Sequence, residues 1–140
     1  MQYAPAALLH RIASWPGPAQ QALWGCRALF LDVARAKGLG PLDEALKWGQ
    51  PAWRPRRPRT GTTLRIGWTG AEPAQLSLLV DCKTDIAARM RALHPELPRN
   101  DGRREIALAL ADPLPEQALA TLSAMTFAYH LQKHARGSMG

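Results

Sequence analysis

Three stretches of the chain alternate apolar with polar or small residues, and this period of two constrains the fold more than any other feature. Leu64, Ile66 and Trp68 alternate with Arg65 and Gly67. Leu76, Leu78, Val80 and Cys82 alternate with Ser77 and Asp81, and Ile106, Leu108 and Leu110 alternate with alanines. Successive side chains of a strand point to opposite faces, so each stretch has one apolar face. A sheet built from such strands is largely antiparallel and covered on one side only.

The cover comes from helical stretches. Leu8, Leu9 and Ile12 predict a short helix within 5–14, closed by Trp15-Pro16-Gly17-Pro18. The strongest periodicity follows over 18–37. Leu23, Cys26, Leu29, Phe30 and Val33 form its stripe, while Gln20, Arg27 and Arg35 fall elsewhere. Gly38-Leu39-Gly40-Pro41 stops it. A short helix is expected over 41–48, with Asp43 and Glu44 at its positive end, Lys47 at its negative end and Gly49 as a left-handed cap. Thr84 caps a helix carrying Ile86, Met90 and Leu93, and Asp112-Pro113-Leu114-Pro115 opens a last one with Ala118, Leu122, Met125 and Tyr129 on one face. The sum is a single compact α+β domain, a mostly antiparallel sheet with helices on one face.

At 140 residues, 46% apolar and 21% charged, the chain has the composition of one globular domain. No apolar run approaches the ~20 residues that span a bilayer. The only early cation, Arg11, follows the first apolar patch, contrary to an export signal, so a cytoplasmic protein is expected. Cys26 and Cys82 then read as two reduced, buried thiols. The net charge of +7 favours weak association with polyanions.

"LDEALKWGQPAW", "GTTLRIGW", "LLVDCKTDIAARMRALHPEL", "DGRREIAL" and "PLPEQALATL…YH" occur in an order that resembles the YdhG-like family, domain of unknown function 1801. The likeness covers about 17–134, leaving 1–16 as a helical extension and 135–140 as a flexible tail. It implies a compact α+β domain distantly frataxin-like in shape. Some members are described as intracellular iron chaperones, which makes iron handling one alternative function. The scattered carboxylates here give hard cations no cluster of oxygen ligands, so no metal residue and no cofactor is assigned.

His130 and His134 share a helical face but lack a third ligand, and His10 and His94 stand alone. No G-x-S-x-G elbow or phosphate loop occurs, and Ser14, Ser77 and Ser123 have no neighbouring base, so a non-enzymatic protein is expected. Two binding features remain. Trp48, Trp53 and Trp68 gather around one loop, where a partly open aromatic corner, with Gln50, Cys82 and Arg104 for polar contacts, would hold a small molecule or a protein partner. The alternative is electrostatic nucleic-acid binding through Arg54, Arg56, Arg57, Arg59 and Arg65, the prolines between the loop arginines holding them along an extended ribbon. Exposed sheet edges are compatible with a homodimer.

Overall fold

The computed structural model describes residues 3–133. Its elements, in chain order, are α1 (Ala6–Ile12), α2 (Gly17–Ala36), β1 (Leu42–Lys47), β2 (Gln50–Pro55), β3 (Leu64–Gly67), β4 (Gln75–Leu79), α3 (Ile86–Leu93), β5 (Glu105–Ala109) and α4 (Glu116–Phe127). A further helical stretch runs over 129–133. The five strands form one antiparallel sheet in sequence order. The α+β architecture with an antiparallel sheet is therefore the observed one.

The period of two becomes the division between the two faces. Leu64, Ile66, Leu76, Leu78, Ile106 and Leu108 are all buried under the helices. Between them, Arg65, Gln75, Ser77 and Glu105 occupy the other face, half-buried beside one another. Helix α2 contributes Leu23, Cys26 and Phe30 to the core, and α4 contributes Leu119, Leu122 and Phe127. The Phe30 ring meets Trp53 edge-on at 5.2 Å and Phe127 edge-on at 5.8 Å, the geometry aromatic quadrupoles favour. Leu8, Ile12 and Trp15 join the same core, so the segment 1–16 is integral to the domain over its described part.

The helix expected over 41–48 is a strand instead. Leu42 and Leu46 satisfy a helical spacing, but Leu42, Glu44 and Leu46 satisfy strand alternation equally well. The tertiary contacts decide between them. All six residues of β1 pair with β2, from Leu42↔Pro55 to Lys47↔Gln50. Trp48 (φ 57) and Gly49 (φ 74) form the two-residue turn between them. Two positive φ values are what a type I′ hairpin turn requires. Gly49 is left-handed as expected, but it closes a hairpin and caps no helix.

Prolines shape the next ladder. Pro51 and Pro55 have no N–H to donate, and β2 meets β3 over only two pairs, Ala52↔Arg65 and Trp53↔Leu64. The chain is thereby released early into the arginine loop. The α2 stripe also departs from expectation. Leu29 and Val33 are half-buried, whereas Arg27, read as lying off the stripe, is buried.

Candidate functional site

The tryptophans do not form a corner. Trp53 is fully enclosed, and its indole Nε1 donates to Glu44 Oε1 at 2.9 Å. Trp48 stands at the hairpin tip, 81% exposed. Trp68, just past the end of β3, is half-buried near Trp15 at 6.4 Å between rings, with its Nε1 donating to the Pro73 carbonyl. Trp53, having no exposed surface, lines no opening, and Trp68 packs against the same core.

The polar residues assigned to that corner lie elsewhere. Gln50 sits on the uncovered sheet face, accepting from Arg65 Nη1 at 2.6 Å and lying across Gly67. Burial first, and the neighbouring Arg104 guanidinium second, hold Arg65 below the ordinary arginine range, while Asp81 pulls the other way. Arg104 is exposed, and its backbone bridges the Val80 amide and the Asp101 carboxylate. Cys82 is exposed rather than buried, because β4 ends at Leu79 and the alternation no longer directs its side chain. Cys26 is buried, and burial pushes its thiol up to about 12.

The arginine loop is not a ribbon of equivalent charges. Arg56 Nε donates to Asp43 Oδ1 at 2.8 Å, and its amide donates to the Pro41 carbonyl. The Arg57 guanidinium lies over Gly40 and reaches the Gly38 carbonyl at 3.4 Å. Arg59 has φ 58, which breaks the extended path the prolines predict. Beyond it the chain docks on the end of α4. Thr62 N donates to the Thr126 carbonyl, and the Thr60 carbonyl accepts from His130 N and Leu131 N. Gly61 fits there because a Cβ would run into the Phe127 carbonyl.

This docking builds a site that sequence reasoning missed. Arg54, Arg59, His130 and Leu131 line an open cavity of about 570 Å³. Arg54 points to the uncovered side of β2, one alternation from Trp53, and Arg59 arrives by its left-handed turn. His130 comes from the helical stretch after α4 and is exposed at the cavity wall. Neither arginine makes an ion pair or side-chain hydrogen bond among the described residues, whereas Arg27 and Arg56 are both engaged with carboxylates. His134, the other member of the expected histidine pair, lies outside the described residues. Among the described residues, no three of His, Cys, Asp and Glu gather as metal ligands. A second cavity of about 600 Å³ opens between α2 and β1, lined among others by Leu31, Ala34, Gly40, Leu42 and Arg57.

Fold and site together define an α+β domain with an uncovered sheet face and a basic surface cavity. No family model, no curated protein and no solved structure matches the chain. Among the described residues, no helix is long and apolar enough to cross a membrane.

Proposed function

We propose that this chain is a non-catalytic binding module for a small anionic ligand held by Arg54, Arg59 and His130. The observation that carries the reading is the division of labour among the arginines. Arg56 and Arg57 are spent on the protein itself, while Arg54 and Arg59 line a cavity and make no ion pair or side-chain hydrogen bond among the described residues. Guanidinium groups bind planar carboxylate and phosphate oxygens in pairs, and Leu131 offers an apolar wall to the remainder of such a ligand. The motif order that resembles the YdhG-like family agrees with a compact binding domain, and the aromatic corner is replaced as the site because Trp53 is enclosed.

Titration calorimetry with pyrophosphate tests this. Saturable binding that weakens with salt is expected, reduced at least ten-fold by R54S/R59S and changed less than about two-fold by R56S/R57S. If both pairs of substitutions weaken a single-stranded oligonucleotide equally, and pyrophosphate does not saturate, the extended nucleic-acid surface replaces this reading.

A further inference from the structure

Strand β1 is an edge of the sheet, and its sequence is complementary to itself. In a two-residue hairpin the flanking pair, here Lys47↔Gln50, exchanges both backbone hydrogen bonds. Asp43, Ala45 and Lys47 therefore direct their N–H and C=O groups at β2. Leu42, Glu44 and Leu46 direct theirs outward, to the free edge.

A second antiparallel copy, related by a two-fold axis through Ala45, places Glu44 opposite Leu46 as the hydrogen-bonded pairs. The same register puts Asp43 of each copy beside Lys47 of the other on the uncovered face, a salt-bridged cross-strand pair made twice. An axis through Glu44 would instead oppose two carboxylates, so charge selects the Ala45 register.

The third coincidence is steric. In that register Leu42 of one copy faces Trp48 of the other. Leu42 lines the α2–β1 cavity of about 600 Å³, together with Leu31, Ala34 and Pro41, and Arg35 and Arg57 stand in the same wall. Trp48 is 81% exposed. It holds φ 57, a conformation costly for a bulky residue, at a turn position where asparagine or glycine is the usual choice. Glu44 completes the lining, and an indole entering beside Leu31, Ala34 and Leu42 near the two guanidinium groups gains both burial and a cation–π contact. Tyr3, Leu9, Leu46 and Trp48, four of the six exposed large hydrophobics among the described residues, belong to the N-terminal segment, α1, β1 and its turn. Leu46 and Trp48 stand on the edge strand and turn that the pairing would cover.

We propose that the chain forms a two-fold homodimer by β1–β1 pairing about Ala45, with Trp48 of each copy seated in the α2–β1 cavity of the other. This continues the sheet across two subunits.

Sedimentation equilibrium on the full chain should show a dimer. Lys47→Glu, which opposes Asp43 with a second carboxylate, and Trp48→Gly, which relieves the turn, should each weaken it at least ten-fold while far-ultraviolet circular dichroism stays unchanged. In a Cys82→Ser background, Ala45→Cys should oxidise to a covalent dimer within minutes, because a non-hydrogen-bonded pair on the axis brings Cα atoms to about 4.5 Å. Asp43→Cys should not, since residue 43 lies far from its own copy. A chain that stays monomeric at several hundred micromolar overturns the proposal. So does a dimer indifferent to both surface substitutions, or one that cross-links equally through position 43.

Discussion

Arg27 on α2 grips Glu44 on β1 with two parallel hydrogen bonds, Nε to Oε1 at 2.5 Å and Nη2 to Oε2 at 3.0 Å. The same Oε1 accepts from Trp53, and Arg27 Nη2 also donates to the Tyr3 carbonyl. One carboxylate thus ties the longest helix, the edge strand and the largest core side chain together. With Arg27 at 4% and Glu44 at 13% exposure, the pair is shielded enough for its loss to be felt.

Glu44→Ala should lower stability by about 3 kcal/mol, since it leaves a buried guanidinium and a buried indole N–H without their shared acceptor. Glu44→Gln should cost less, because an amide oxygen still accepts from Trp53. Urea unfolding followed by tryptophan fluorescence measures both. Equal stability in the alanine variant and the parent would show that the network contributes nothing net.

The two thiols should separate cleanly. A disulfide reagent at pH 8 should modify one cysteine per native chain, Cys82, and both after denaturation. Burial raises the Cys26 thiol from 9.0 to about 12, so the folded state keeps a proton that the unfolded state loses. Its contribution to stability is therefore fully present below pH 9 and declines as the pH rises towards 12. Cys26→Ala should flatten that alkaline decline, which thermal melts across this range would show.

Asp101 organises the turn before β5. Its Oδ1 accepts from the amides of Arg103 and Arg104 at 2.8 Å each and of Glu105 at 3.0 Å. Desolvation pulls its carboxyl up, but the three amides and the Arg104 charge outweigh it and hold the carboxyl below the ordinary aspartate range. The folded value being the lower one, this stabilisation exists above the unfolded aspartate range and is lost as pH falls through the folded value. Asp101→Ala should destabilise by about 1 kcal/mol at neutral pH, comparable to losing a helix cap, and by much less in acid.

The loop docked on α4 offers an opposed pair of substitutions. Gly61→Ala forces a Cβ onto the Phe127 carbonyl, which is backbone and cannot yield, so a loss of more than about 2 kcal/mol is expected. Arg59→Gly removes a side chain from a left-handed backbone and should raise stability by about 0.5–1 kcal/mol while weakening pyrophosphate binding. Melting temperature and calorimetry on the same samples distinguish the two effects.

Local pattern was enough for some elements and not for others. Strands β3, β4 and β5 and helix α2 were legible because each repeats its apolar side at one period against a thick core. β1 was not, since six residues with Leu42 and Leu46 four apart fit either period, and only its pairing with β2 breaks the tie. Arg27 was misplaced for a related reason: periodicity counts it as polar, and its burial is stabilised by a glutamate on another element.

By itself, then, the sequence determined the class of fold, the one-sided sheet and the length of the main helix, all consequences of hydrophobic spacing within single segments. Tertiary structure alone decided that Trp53 is core while Trp48 is surface, that two loop arginines are engaged and two line a cavity, and that His130 joins them. Those outcomes depend on which backbone and charged groups meet across distant segments, and hydrogen-bond partners far apart in the chain leave no local period to read.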